Sequence, residues 1–143
     1  MSAFDRDVVA ARTAAIERHL RRVAARLPAT ATDLRPETDT SDAVVLHLWQ
    51  AVQLTLDLAF AACLHRSLPT PATYGDAFRS LANDGVLDAA LAERLVAAAG
   101  FRNVISHAYE GLDMAVVHAA AVSGPRDLRD FLRAVALLVP PAG

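Results

Sequence analysis

Ala43-Val44-Val45-Leu46-His47-Leu48-Trp49-Gln50-Ala51-Val52-Gln53-Leu54-Thr55-Leu56-Asp57-Leu58-Ala59-Phe60-Ala61-Ala62-Cys63-Leu64 is the longest apolar run of the 143-residue chain. It is apolar around most of a helical circumference, which predicts a central helix rather than a surface one. His47, Gln50, Gln53 and Asp57 interrupt it and make it a poor membrane span. These four fall within about 120° of arc, as an exposed stripe or as the polar lining of a cleft or subunit interface. Thr40-Ser41-Asp42 offers N-cap side chains at its start, and the helix is expected to end near Ser67. Cys63 within it reads as a small core residue.

Working outward, the rest of the chain also reads as helix. Phe4, Val8, Ile16, Leu20, Val23 and Leu27 recur at three- to four-residue steps or their multiples, predicting an amphipathic helix of roughly 24 residues that Pro28 ends. The segment from Pro28 to Thr40 is polar, carries two prolines and reads as a loop. Leu68-Pro69-Thr70-Pro71 breaks the chain again. Thr73, with Asp76 three residues later, resembles a capping box opening a short helix to about Asn83. Asp88 caps a long helix expected to reach Glu110, with Gly111 as its stop. The apolar stripe of Leu91, Leu95 and Ala98 is rotated from the one Phe101 begins, so a kink or a change of packing partner is expected at Gly100. A helical stretch over Asp113–Val122 is followed by a bend at Ser123-Gly124-Pro125, and a last one covers Asp127–Val139. The expectation is one all-α domain over residues 1–143, an up-and-down four-helix bundle with extra short helices.

Composition removes whole classes of function. Hydrophobic residues make up 54% and charged residues 21%, enough for a core and too apolar for disorder. All fourteen basic residues are Arg. Without Lys there is no Schiff-base amine and no Walker-type phosphate loop. One Cys excludes an internal disulfide and any multi-cysteine metal site. The net charge of −2 excludes a globally basic nucleic-acid coat, though not a local basic site. No signal-peptide pattern opens the chain, so a soluble, cytoplasmic protein of a reducing compartment is expected.

The chemistry concentrates in Gly100-Phe101-Arg102-Asn103-Val104-Ile105-Ser106-His107-Ala108-Tyr109-Glu110-Gly111. On a helix, Phe101, Val104, Ile105 and Ala108 share an apolar arc. Arg102, Ser106 and Tyr109 form one polar stripe, and Asn103 and His107 the one beside it. Arg102 and His107 stand about 140° apart, so they flank an object such as a phosphate rather than touch. A histidine can take the proton of a ribose 2′-hydroxyl, and an arginine fork can hold the charge of a pentacoordinate phosphorane. That chemistry needs no metal and selects RNA over DNA. Asn103 can orient the phosphate or His107, with Ser106 supporting. A bare Arg-x4-His arises by chance about every second chain of this composition, whereas the added Tyr two residues on lowers that to under about one in a hundred. The bland alternative is a solvated helix face.

Arg102-Asn103-x-x-x-His107-x-Tyr109 resembles the R-x4-H-x-Y signature of HepT-like toxins, ribonucleases of the HEPN superfamily. The resemblance runs from about Leu48 to Phe131 and takes in Pro71, Tyr74, Ala77, Phe78, Leu81, Gly85, Val86 and Asp113. It implies a HEPN-type bundle that homodimerises, bringing two motifs into a shared cleft. Activity would be metal-independent cleavage of tRNA or mRNA, with no cofactor, by Arg102 and His107, Asn103 filling the polar position after the Arg. Tyr109 matches the tyrosine that a partner antitoxin of the MNT nucleotidyltransferase type modifies with AMP, which would block the cleft and repel RNA.

The remaining charges are less specific. Arg18, Arg22 and Arg26, with Arg21 beside them, and Arg126, Arg129 and Arg133 form two rows. Both read as solvated faces, with RNA or antitoxin contact as the alternative. His47 and His65 lie about 27 Å apart and cannot share a metal, and His19 and His118 read as surface or boundary residues. The competing functions are a non-catalytic HEPN-like module that binds a nucleotidyltransferase or nucleotide, and a metal-dependent bundle enzyme.

Overall fold

The computed structural model describes residues 4–140. The Asp5 carboxylate accepts the Val8 N–H at 2.9 Å and opens α1 (Arg6–Arg26). Phe4 is therefore outside the helix, yet it is buried and stacks on His65 at 4.8 Å. The long helix α2 covers Asp39–His65, the short α3 Tyr74–Asn83, α4 Ala89–Ala108 and α5 Met114–Ala136. Among the described residues there is no strand.

Side-chain pairs give the directions. Phe4, just before α1, meets His65 and His19 meets His47, so α1 and α2 are antiparallel. Gln53 meets Arg102 and Asp42 meets Tyr109, so α2 and α4 are antiparallel. Arg94 pairs with Asp127, while Ile105 and Val117 share one cluster, which sets α5 antiparallel to α4. Glu17 holds Arg129 and His118 donates to the Pro28 carbonyl, returning α5 to α1. The expected up-and-down four-helix bundle results, with α3 and two 3-10 turns as the extra pieces. By length and composition α2 passes as a membrane span, but half of its apolar window is buried inside the bundle.

Two apolar clusters fill the interior. The larger joins Ile16 and Leu20 of α1, Leu56 and Leu58 of α2, Phe78 of α3, Leu95 of α4 and Phe131 of α5. Phe78 and Phe131 meet edge-on at 5.6 Å, and truncating either to Ala should cost about 3–5 kcal/mol. The smaller cluster gathers Val23, Leu34, Val44, Val45, Leu48, Ile105, Val117 and Ala121. Helix α4 crosses from one to the other near Gly100: Leu91, Leu95 and Ala99 belong to the first, Ile105 and Phe101 to the second. Its two apolar stripes thus reflect a change of packing partner within one continuous helix.

Four boundary expectations are corrected. Thr38, not the Thr40–Asp42 group, caps α2; it accepts from the Ser41 N–H, and Ser41 returns a bond to the Thr38 N–H. The loop before it holds a 3-10 turn at Ala31–Asp33 and inserts Leu34 into the smaller cluster, so it is not merely polar. No break occurs at Ser123-Gly124-Pro125, because α5 runs through it. An internal proline costs about 3 kcal/mol, and burying Leu128, Phe131 and Val135 on one continuous axis outweighs that at about 1.5–3 kcal/mol each. Finally, α4 stops at Ala108 rather than Glu110, and Tyr109–Gly111 forms a 3-10 turn.

Candidate active site

The last two turns of α4 carry the motif and face α2. Arg102 is half-buried there, with its guanidinium carbon 5.4 Å from the Trp49 ring centre and 5.7 Å from that of Tyr74. Its Nε donates to Gln53 Oε1 at 2.8 Å, and Nη1 donates to Asn103 Oδ1 at 3.1 Å. Gln53 Nε2 donates to Asp57 Oδ1 at 3.0 Å, which fixes the amide with its oxygen toward the arginine. Two aromatic faces and an amide therefore hold the guanidinium, leaving Nη2 and one Nη1 hydrogen uncommitted among the described residues. That edge is the part of an arginine fork that grips a phosphate.

Ser106 has a structural position. Its Oγ donates to the Arg102 carbonyl at 3.1 Å and accepts from Trp49 Nε1 at 3.1 Å. It thereby latches the indole beside the arginine. His107, one residue on, is exposed and has no hydrogen-bond partner among the described residues. Five residues of helix separate Arg102 from His107 by about 7.5 Å along the axis, and they share no hydrogen bond, as the spacing requires. Asn103 is exposed on the other flank, where it lines a cavity of about 490 Å³ with Tyr74, Gly75 and Arg79.

Tyr109 departs from the expected stripe. Ala108 leaves helical geometry (φ −139°, ψ 38°), and the Tyr109 hydroxyl turns to the start of α2, donating to Asp42 Oδ1 at 2.9 Å. The ring is 50% exposed and borders a cavity of about 280 Å³ with Glu37, Asp42 and Glu110. Partial loss of water first, and then the Asp42 carboxylate, push its phenol above the ordinary range. Arg102, Asn103 and Ser106 are thus brought together by hydrogen bonds, His107 stands beside them, and Tyr109 is held apart by α2.

Sequence reading missed Trp49, Tyr74 and Asp42 as neighbours of the motif. Gln53 and Asp57 did carry a signal, since the polar stripe of α2 left a cleft lining open, and at these two positions it is one. His47, on the same stripe, instead turns to α1 and His19. Cys63 is buried, and burial raises its thiol pKa, as suits a core residue. Among the described residues no group of three or more His, Cys, Asp or Glu is arranged to hold a metal.

The resemblance to HepT-like proteins implies this arrangement, an all-helical up-and-down bundle with an Arg-x4-His segment at the end of its third long helix. Residues 16–135 match the family described as ribonuclease HepT-like, and the chain belongs to that family. It is similar to the mRNA nuclease HepT of Shewanella oneidensis, 22% identical over 126 residues that span 88% of this chain and 94% of that protein. Its fold is shared with the tri-AMPylated Shewanella oneidensis HEPN toxin in complex with MNT antitoxin, at TM-score 0.81 and 22% identity over 90% of this chain and 96% of that one. A toxin–antitoxin crystallised with AMP-PNP gives TM-score 0.82 at 21% identity, over 90% and 97%.

Proposed function

We propose that this chain is a metal-independent endoribonuclease toxin of a HEPN/MNT pair, cytoplasmic, acting on tRNA or mRNA. The observation that carries the reading is the Arg102 cage. A guanidinium held from three sides keeps its outer edge free, five residues from an imidazole with no competing partner. In the reaction, His107 takes the proton of a ribose 2′-hydroxyl as that oxygen attacks the adjacent phosphorus. The new O2′–P bond forms and the P–O5′ bond breaks, leaving a 2′,3′-cyclic phosphate and a 5′-hydroxyl. Arg102 holds the phosphorane charge through its Nη edge, Asn103 keeps that fork in place, and Ser106 steadies Trp49 beside it.

Homodimerisation belongs to the same proposal. Val104, 51% exposed between Arg102 and His107, is apolar surface that a second copy covers. Pairing there brings two imidazoles to one cleft, so one removes the 2′-hydroxyl proton and the other protonates the departing oxygen.

Control would come from an MNT-type nucleotidyltransferase antitoxin that transfers AMP to Tyr109. The Tyr109 oxygen bonds to the α-phosphorus of ATP, the α–β phosphoanhydride bond breaks, pyrophosphate leaves, and Asp42 is placed to take the phenolic proton. The added adenylate places negative charge beside the cleft and repels RNA. The test is RNA cleavage in EDTA by purified chain free of partner. Arg102→Ala and His107→Ala should each lose at least about a hundredfold in rate, the scale of a lost transition-state donor or proton acceptor. Undiminished cleavage in both variants overturns the assignment.

A further inference from the structure

The two arginine rows that look alike in sequence differ in the folded chain. Arg129 is held by Glu17 at 3.0 Å and Arg133 by Asp130, so two of the three arginines of the α5 row are neutralised and Arg126 alone is exposed without an ion pair among the described residues. Arg18, Arg22 and Arg26 are all exposed, and none has an ion pair or hydrogen bond among the described residues. From Val8 to Thr32 the chain has five Arg and one acid, Glu17, which Arg129 already occupies. A protein with net charge −2 thus keeps one strip of uncompensated positive charge on α1. At the edge of that strip, His19 Nδ1 and His47 Nδ1 lie 3.0 Å apart, so one carries a proton and the other presents its lone pair.

We propose that the Arg18, Arg22 and Arg26 row, with the His19–His47 pair, is a binding track for the phosphate backbone of single-stranded RNA, separate from the Arg102–His107 cleft. The proposal rests on the ribonuclease reading and adds where the substrate is gripped outside the reacting centre. Successive arginines rise about 6 Å along α1, a spacing matched by neighbouring phosphates of an extended strand. Regularly spaced forks without protein partners suit a polymer carrying one charge per unit better than an irregular acidic protein surface. The track is on the far flank of α2 from the cleft, since His47 faces α1 whereas Trp49 and Gln53 face α4. It therefore contributes to binding rather than to chemistry.

The histidine pair gives the track a distinctive signature. Burial first, and then nearby charge, lower both imidazole pKa values. The charged groups facing His19 are His47, Arg18 and Arg22; those facing His47 are Arg22, Arg26 and Arg18. A phosphodiester seated among them offsets that positive field, so binding takes up a proton and tightens as pH falls.

The experiment measures fluorescence anisotropy of a labelled, 2′-O-methylated oligoribonucleotide, which lacks the attacking hydroxyl, on the full chain at several salt concentrations. The triple variant Arg18→Gln/Arg22→Gln/Arg26→Gln should bind at least about tenfold more weakly at low salt, with a log–log salt slope shallower by about 2. Its kcat on cleavable RNA should hold while KM rises. Arg133→Gln, which removes one charge from a paired position, should do neither. His19→Gln/His47→Gln should flatten the gain in affinity between about pH 7.5 and about pH 5.5. Unchanged affinity and slope in the triple variant overturn the track. So does weakening confined to the complex with a nucleotidyltransferase, which would make the row a protein-docking surface. Cleavage by wild-type chain with these failures removes the track alone; binding through the row with no cleavage removes the ribonuclease reading instead.

Discussion

Arg102 does not stand free at its cleft: Gln53 Oε1 accepts its Nε hydrogen at 2.8 Å, across the α2–α4 interface. Of all the contacts around the motif, this one decides which way the guanidinium points. The amide cannot flip, because Asp57 accepts from its nitrogen. Gln53→Leu should therefore release the fork while leaving the fold intact. A net hydrogen bond to a charged group contributes about 1.5–3 kcal/mol, so kcat/KM on RNA should fall by roughly tenfold to a hundredfold. The chain should remain folded, with its melting temperature lowered by no more than about 10 °C. Arg102→Lys should not restore activity, since an ammonium lacks both the fork and the flat face that lies between Trp49 and Tyr74.

The single tryptophan supplies a reporter. Trp49 Nε1 donates to Ser106, and its ring lies against Arg102. Ser106→Ala should shift Trp49 emission to longer wavelength as the ring loosens into water, and should cost about 0.5–1.5 kcal/mol in denaturant unfolding. Because the serine acts through the indole, cleavage should slow without being abolished. An unaltered spectrum in Ser106→Ala would remove the latch.

Tyr109 and Asp42 make a prediction about alkaline pH. The phenol pKa is raised in the folded chain, mainly by loss of water and then by the Asp42 carboxylate. The neutral phenol is the favoured form in the fold, so its contribution is complete below the ordinary value of 10.0 and is lost as pH rises through the raised one. Unfolding followed from about pH 8 to about pH 11 should show that loss in the wild type and a smaller one in Tyr109→Phe, where the buried Cys63 thiol, its pKa also raised, still contributes. Asp42→Asn should reduce the shift without removing it, because burial is the larger cause.

The helical order was legible because each helix carries its own period and breakers, and the expected caps Thr73 and Asp88 both hold cap bonds in the structure. Local signals failed where a tertiary gain overrode them. Pro125 reads as a break, yet the apolar face on both sides of it is worth more than the lost backbone bond. The motif itself was legible from spacing within one helix. Its cage was not, since Trp49, Gln53 and Tyr74 come from 28 or more positions away and their approach depends on how α2 and α3 cross α4. Likewise, nothing in the two arginine rows says which has carboxylates opposite it, because those acids sit on another helix or at the row's own neighbour.

Gly124, beside that proline, tests the same balance. A Cβ placed on it meets nothing within 4 Å, and its helical position needs no positive φ. Gly124→Ala should stabilise the chain by about 0.5–1 kcal/mol, the usual difference between the two residues inside a helix. A loss of stability would mean that Gly124 is needed to relieve the backbone around Pro125.

His19 and His47 set the acid side of the stability curve. Both imidazole pKa values are lowered in the fold from 6.5, by burial first. The unfolded chain therefore binds more protons than the folded one below that value, and stability falls as pH drops through the window beneath it. The hydrogen bond between the two Nδ1 atoms strengthens the argument: it exists with one shared proton and is lost when each ring carries its own on that atom. Thermal unfolding between about pH 7.5 and about pH 5 should show this slope in the wild type. In His19→Gln/His47→Gln the slope should shrink, because neither glutamine titrates. Parallel curves for the two proteins would mean that the rings simply separate on protonation at no cost, and that the α1–α2 seam does not depend on their contact.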